Sequence, residues 1–167
     1  MVVKRFQTVI RYGGNMGKVL ICDIDGCVID TSSIWIDAGL SMIPEDKKFE
    51  FFEKQANNYD NPVCWECVNF VNAFKHAVDK IMFMTARSEV LREGTLQRLK
   101  DVINVDFTLM MRPLDNKDNP ALLKESMLMC VQDEHKVVLA IDDNKEICEM
   151  YEEHGIPSIL WEIGKYK

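Results

Sequence analysis

The sequence lacks an apolar run that approaches the ~20 residues needed to span a bilayer, so a membrane-spanning helix is not expected. Its N-terminal apolar stretch is interrupted by Arg5, Gln7 and Arg11, whereas a signal peptide needs a continuous apolar centre. Positive charge is also scarce, because 20 Lys and Arg stand against 27 Asp and Glu, for a net charge of -7. Extended binding along a nucleic-acid backbone draws on clustered cations. We therefore expect a cytoplasmic protein that does not bind nucleic acid along its length.

A cysteine pattern typical of disulfides or zinc is also missing. Most of the six cysteines lie within apolar runs, where a reduced thiol behaves as a small hydrophobic group. Cys64 and Cys67 have the spacing of a zinc knuckle, but no second pair follows at the usual distance. A core-facing edge of a helix is the favoured interpretation of this pair, and a reducing compartment fits the composition best.

Short apolar segments alternate with amphipathic segments of helix length. This alternation predicts an α/β fold with a doubly wound, mainly parallel five-stranded sheet. A chain of 167 residues can bury one core of ordinary size, so residues 1–167 are predicted to form a single domain. All five strands are expected to be buried, although the third could equally lie at an edge. The predicted strands are 18–22, 80–84, 106–110, 136–141 and 157–161.

Four helices are predicted, the first two from apolar residues at helical spacing. The other two have clear boundary signals: Asn119 and Pro120 suit an N-cap and a first turn, and Gly155 suits a helix end. Residues 30–62, rich in acids, aromatics and Asn, are predicted to form a small cap insertion after the first strand. Residues 2–11 could add a further strand. The predicted helices are 63–78, 89–102, 119–130 and 144–154.

Acidic residues follow two of the predicted strands. Asp23 and Asp25 come directly after the first strand, and Asp142 and Asp143 come directly after the fourth. In a doubly wound sheet the binding crevice lies at the carboxyl ends of the strands, where the winding direction reverses. Carboxylates facing one another there repel unless a cation joins them, and an all-oxygen site suits Mg²⁺. The sequence therefore predicts a magnesium site.

Three further polar residues are predicted to lie near the same carboxyl ends of the strands. Thr85 and Arg87 follow the second strand, and Lys124 lies on the helix after the third. Plainer interpretations remain open at this point: Lys124 could be a solvated helix lysine, and Arg87 could form a surface ion pair with Glu89 or Glu93. The Asp142–Asp143 pair could likewise be no more than a helix N-cap and its neighbour.

Four segments, CDIDGCV, MFMTARSE, NPALLKES and LAIDDNKE, occur in this order along the chain. Together they resemble the four-motif signature of haloacid dehalogenase superfamily phosphatases, which use Mg²⁺. More narrowly, MTARSE, MRPLDNKDNPALLKESML and HKVVLAIDDNKEICEMYEEHGI are similar to parts of the 3′-phosphatase domain of bacteriophage-type polynucleotide kinase. The resemblance implies a phosphatase, and the narrower likeness covers roughly the C-terminal half.

The resemblance also implies a role for each matched residue. Asp23 would attack phosphorus and form an aspartyl-phosphate, while Asp25 would protonate the leaving oxygen and then activate water. Thr85 would hydrogen-bond the phosphoryl oxygens, Lys124 would neutralise charge on phosphate and nucleophile, and Arg87 would help to bind the phosphate.

The same resemblance implies the metal ligands. Asp142 would hold Mg²⁺ together with Asp23 and the backbone carbonyl of Asp25, and Asp143 would help directly or through water. Two positions depart from the narrower pattern: Pro120 stands where an acid is usual, and Cys27 stands where a Thr is usual.

The expected substrate is a phosphorylated nucleotide or nucleic-acid end, most specifically a 3′-phosphate, because an insertion as small as 30–62 leaves the site open to a bulky or terminal phosphate. A 5′-nucleotidase or small-metabolite phosphatase is the nearest alternative, and a non-catalytic metal-binding module of the same fold is the alternative of another class. Several aromatic residues of the insertion could either stack on a base or pack the insertion onto the core: Trp35, Phe51, Phe52 and Tyr59.

Overall fold

The computed structural model describes residues 16–163, so the possible strand at residues 2–11 lies outside the described part. Every strand pairing is parallel, and the strand order is β3-β2-β1-β4-β5. The predicted α/β class with a parallel five-stranded sheet is thus confirmed. The strands are β1 (Lys18–Cys22), β2 (Lys80–Ser88), β3 (Phe107–Arg112), β4 (Lys136–Asp142) and β5 (Ser158–Leu160).

Helices connect the strands on both faces of the sheet, as parallel pairing requires a crossover between strands. The predicted N-cap at Asn119 is confirmed, because its side chain accepts a hydrogen bond from the backbone N–H of Leu122. Asn144 caps the last described helix in the same way, accepting a hydrogen bond from the backbone N–H of Glu146. A 3₁₀ turn (Glu89–Leu91) precedes the fourth helix. The described helices are α1 (Ser32–Leu40), α2 (Glu45–Gln55), α3 (Trp65–Phe74), α4 (Arg92–Val102), α5 (Pro120–Gln132) and α6 (Lys145–Glu153).

The central strand β1 packs on both of its faces, because successive side chains of a strand point to opposite sides of the sheet. Leu20 lies in a cluster with Val71 of α3 and Leu99 of α4. Ile21 lies in the opposite cluster with Leu128 of α5. Because β1 is buried on both sides, its position in the sheet is fixed. The residues that directly follow β1 are therefore also held in a defined position.

Two strands differ from the prediction. β5 has no buried residue and forms one edge of the sheet, so its prediction as a buried strand is wrong. β3 forms the other edge, which confirms the alternative left open for it. β2 is longer than predicted, because it resumes pairing with β3 at Ser88 and Arg112 after an irregularity. Thr85 and Arg87 therefore belong to a strand.

The predicted insertion lies between β1 and α3 and contains α1 and α2. It has a small apolar cluster of its own, in which Ile34, Phe52 and Ala56 are buried. The ring of Trp35 stacks on Phe52 with a centroid separation of 4.9 Å. Phe52 therefore packs the insertion, while 46% of Trp35 remains exposed. Among residues 16–163, no helix is long and apolar enough to cross a membrane.

Candidate active site

The side chains predicted to form a site meet where β1 and β4 end. These strands are neighbours, with Cys22 opposite Ile141, and the backbone N–H of Asp23 donates to the carbonyl of Ile141 at 2.9 Å. Asp142 is the last residue of β4. After β1 the chain adds β2 and β3 on one side of that strand, and it then adds β4 and β5 on the other side. The winding direction of the sheet therefore reverses between β1 and β4.

Lys124 joins the two strand ends. Its Nζ lies 2.9 Å from Oδ1 of Asp23 and donates to Oδ2 of Asp142 at 2.6 Å. The lysine is only 1% exposed, so the interpretation as a solvated helix residue is wrong. Burial by itself would lower the pKa of Lys124, but the carboxylates of Asp23 and Asp142 outweigh it and raise this pKa well above its usual value. The ammonium therefore stays charged.

Burial has the opposite effect on Asp23. Loss of water raises the pKa of its carboxyl group, Lys124 lowers it, and the nearby charge of Asp142 raises it again, so that the pKa lies well above its usual value. Oδ1 of Asp23 is buried, and its partner among residues 16–163 is the ammonium of Lys124. An ionised carboxylate oxygen has more than one lone pair, so Oδ1 can also contact a cation.

A metal ion fits this arrangement. Asp23, Asp142 and Asp143 each offer one carboxylate oxygen, and the three oxygens lie within 4.8 Å of one another. Partial burial, followed by the charge of Asp142, raises the pKa of Asp143 to about 6, and a cation would relieve that repulsion. Oxygen donors alone suit a hard divalent ion such as Mg²⁺. The carboxylate of Asp25 points elsewhere, and the proposed role of its backbone carbonyl stays a prediction.

Gly26 shapes the turn that follows Asp25. Its φ of +74° lies in the left-handed region, which glycine adopts without strain. A Cβ atom at this position would overlap the carboxylate of Asp143. The glycine of the DxDG motif therefore leaves the space in which Asp143 approaches the first strand.

The N-cap of α6 is Asn144, since its side chain accepts the hydrogen bond from Glu146. The interpretation of Asp142 and Asp143 as a helix N-cap and its neighbour is therefore wrong. The backbone N–H of Asn144 instead donates to Oδ1 of Asp142 at 3.1 Å. Asn144 thus holds Oδ1 of Asp142 and Lys124 holds Oδ2, so the orientation of the Asp142 carboxylate is fixed.

Arg87 is 1% exposed and contacts Asp25 with two of its nitrogens, Nε at 2.9 Å from Oδ2 and Nη2 at 2.7 Å from Oδ1. The alternative of a surface ion pair is wrong, because Glu89 pairs with Arg92 instead. Binding of substrate phosphate by Arg87 stays a prediction. Thr85, fully buried, accepts a hydrogen bond from the backbone N–H of Arg87 at 3.1 Å.

These groups line one cleft of about 800 Å³. Asp23, Thr85 and Lys124 contribute to its polar part, and the insertion contributes an aromatic wall. Sequence reasoning missed Trp161, which lines the same cleft just after β5, and Asn57 and Thr95, which contact Arg87. No motif marks these three, because they reach the site only through the packing of distant segments. The aromatic wall consists of Trp35, Phe49 and Phe52.

Five parallel strands with acids after β1 and β4 and a lysine on α5 define the haloacid dehalogenase class of phosphatases. Within that class, the family described as "Polynucleotide kinase PNKP phosphatase domain" matches residues 17–166. The chain belongs to this family and is a phosphatase of the haloacid dehalogenase type.

Relatives of the chain agree with this assignment. The "Putative bifunctional polynucleotide kinase/RNA ligase" of Autographa californica nuclear polyhedrosis virus is 22% identical over 161 residues, covering 95% of this chain and 21% of the viral protein. A chain in the structure of the Pnkp1/Rnl/Hen1 RNA repair complex has a TM-score of 0.69 at 19% identity, over 96% of this chain and 48% of that one. The chain thus spans less than half the length of either.

A third similar structure is the class C acid phosphatase from Bacillus anthracis with tungstate bound. Its TM-score is 0.63 at 15% identity, and the match covers 92% of this chain and 70% of that chain. At such low identity the two structural matches establish the shared fold.

Two glycine substitutions test the proposed ion site. Gly26 and Gly155 both have a φ of +74°, but a Cβ atom at Gly155 would meet nothing within 4 Å. Both Gly26→Ala and Gly155→Ala are expected to cost about 1–2 kcal/mol of stability in urea unfolding. Only Gly26→Ala should also weaken Mg²⁺ binding, by roughly tenfold or more, because it displaces Asp143. Calorimetric titration with Mg²⁺ measures this, and equal affinities for the two variants would contradict it.

Proposed function

We propose that this protein is a Mg²⁺-dependent phosphomonoesterase that removes the 3′-phosphate of a nucleotide or polynucleotide through an aspartyl-phosphate on Asp23. The observation that carries the proposal is the buried contact of Lys124 with Asp23 and Asp142 at the floor of the cleft. We place the activity in a single domain that spans residues 1–167, with residues 30–62 as its cap.

In the first step an oxygen of Asp23 attacks phosphorus, and the bond from phosphorus to the ester oxygen breaks. Asp25, which begins this step as the carboxylic acid, gives its proton to the leaving oxygen and becomes a carboxylate, so that an alcohol departs. Lys124, held beside the attacking carboxylate, offsets negative charge on the phosphoryl group. The hydroxyl of Thr85 donates a hydrogen bond to a phosphoryl oxygen.

In the second step Asp25, now a carboxylate, takes a proton from water, and the water oxygen attacks phosphorus. The bond between phosphorus and Asp23 breaks, inorganic phosphate leaves, and Asp23 returns to its starting form. The position of Asp25 two residues after the nucleophile lets one side chain serve in both steps.

Mg²⁺ would be held by Asp23, Asp142, Asp143 and the backbone carbonyl of Asp25. When bound, the ion supplies positive charge that offsets the developing charge on the phosphoryl oxygens. Support comes from the three convergent carboxylate oxygens and from the raised pKa of Asp143, because a cation would relieve its repulsion by Asp142.

Family membership and the cleft support a nucleotide substrate. The description of the family and the name of the viral relative both refer to a polynucleotide kinase, an enzyme whose substrates are nucleic-acid ends. Trp35 and Phe49 line the cleft and are 46% and 43% exposed. Exposed aromatic faces beside a phosphate site suit a stacked nucleobase. The net charge of -7 favours recognition of the terminal nucleotide over that of a long strand.

Replacement of the nucleophile tests the chemistry. Asp23→Asn is expected to lower Mg²⁺-dependent phosphate release from p-nitrophenyl phosphate by about three orders of magnitude or more, because an amide cannot form the aspartyl-phosphate. Asp115→Asn, a matched change at an exposed position, should leave the rate unchanged. A wild-type protein without phosphatase activity in Mg²⁺ would instead indicate a non-catalytic metal-binding module.

A substrate panel tests the 3′ preference. We expect a higher kcat/KM for 3′-phosphorylated oligonucleotides and 3′-mononucleotides than for their 5′-phosphorylated counterparts. Equal or better activity on 5′-phosphates would identify a 5′-nucleotidase, and a preference for sugar phosphates would identify a metabolite phosphatase.

The aromatic wall predicts a second difference within that panel. Trp35→Ala should raise KM for a 3′-nucleotide roughly 5- to 150-fold, which corresponds to the ~1–3 kcal/mol of one base stacking on an aromatic ring. The same variant should leave KM unchanged for a ribose phosphate that has no base. Trp65→Ala, also exposed but outside this cleft, serves as the control. An equal rise for both substrates would contradict stacking.

A further inference from the structure

Among residues 16–163, the side chain that holds the carboxylate of Asp25 is that of Arg87. Two guanidinium nitrogens of Arg87 contact both carboxylate oxygens, at distances between 2.7 and 3.2 Å. A two-point contact fixes the rotation of the carboxylate as well as its position. Under the proposed function this carboxyl group transfers a proton in each step, so the position of Arg87 sets the position of the acid and base.

The far side of the Arg87 guanidinium has two partners of its own. Nη1 donates to Oδ1 of Asn57 at 3.0 Å and to Oγ1 of Thr95 at 3.2 Å. The hydroxyl of Thr95 in turn donates to the same oxygen of Asn57 at 3.1 Å. The guanidinium is therefore held from both sides, and it cannot turn away from Asp25 without breaking these contacts.

Asn57 belongs to the insertion, where it follows α2, and it is anchored independently of Arg87. Its Nδ2 donates to the backbone carbonyl of Leu91 at 3.1 Å. Its amide also lies against Gly94 of α4, where an added Cβ atom would overlap it. Gly in a helix interior costs up to about 1 kcal/mol relative to Ala, and here its missing side chain makes room for the amide.

We infer that Asn57 and Thr95 are positioning residues for proton transfer: they hold Arg87 against Asp25 and so tie the insertion to the acid–base step of the reaction. The inference rests on the proposed function. Neither residue lines the cleft, so neither is expected to contact the substrate. Their loss should lower kcat and leave KM nearly unchanged.

The dependence on the leaving group separates this role from a merely structural one. A poor leaving group, such as the sugar oxygen of a 3′-nucleotide, needs a proton as its bond to phosphorus breaks, whereas p-nitrophenolate departs without one. Asn57→Ala and Thr95→Val, in the full chain with Mg²⁺, should lower kcat/KM for the 3′-nucleotide by roughly tenfold or more, because kcat/KM reports formation of the aspartyl-phosphate and departure of the leaving group. For p-nitrophenyl phosphate the fall in kcat/KM should be much smaller, whereas the later hydrolysis step is common to both substrates.

Two further variants make the experiment more specific: one keeps the hydroxyl of residue 95, and the other fills the space beside the amide of Asn57. Thr95→Ser keeps the hydroxyl and should restore the activity that Thr95→Val loses. Gly94→Ala should reproduce the effect of Asn57→Ala by displacing the amide, and it should add nothing in the Asn57→Ala background, where the space is free. Additive losses in the double variant would overturn the inference.

The remaining outcomes also decide the matter. Equal losses on the two substrates, with a matching fall in the urea midpoint, would mean that Asn57 and Thr95 only stabilise the fold, and unchanged rates would mean that Arg87 needs no support. Either result overturns the inference while the phosphatase activity of the wild type stands. A wild-type protein that hydrolyses neither ester would remove the proposed function and the inference together.

Discussion

The ammonium group of Lys124, buried between the carboxylates of Asp23 and Asp142, is the interaction on which the site depends. Ionised groups removed from water cost several kcal/mol each unless they are paired, so none of the three charges is stable in this place without the others. When Asp23, Asp142 and Asp143 are all ionised, their three negative charges and the one ammonium leave two unbalanced negative charges. One divalent cation offsets both, which is why the same cluster that holds the strand ends together also suits Mg²⁺.

The fold produces this cluster from separate segments. β1 and β4 are neighbours, which brings the acids after one strand beside the acids at the end of the other. α5 packs against the opposite face of β1 from α3, and its Lys124 reaches the point where the two strands end. A second charge pair, Arg87 with Asp25, lies beside the first and is tied to the insertion through Asn57. Asp23, the proposed nucleophile, is thus held by the sheet, and Asp25, the proposed acid, is held in part by the insertion.

Most of the sheet and most of the cluster could be predicted from the sequence because the signals are local. Apolar strands, the acids that follow them and the N-cap at Asn119 are each recognisable within a few residues of chain. The contact between Arg87 and Asn57 could not be predicted from local signals of this kind. β2 continues past its apolar run to Ser88, and Arg87, which lies in this extension, is buried. Asn57 is 30 residues away along the chain, and its contact depends on the packing of the insertion.

The most direct measurement is the covalent state of Asp23 during turnover. The protein would be mixed with a 3′-phosphorylated nucleotide and Mg²⁺, quenched in acid within a turnover, digested and analysed by peptide mass spectrometry. The peptide that contains Asp23 should gain the mass of one phosphoryl group, lose it on treatment with hydroxylamine, and remain unmodified when Mg²⁺ is withheld. Release of phosphate at full rate with no phosphoryl group on Asp23, or with the group on another residue, would contradict the proposed role of the Lys124 cluster.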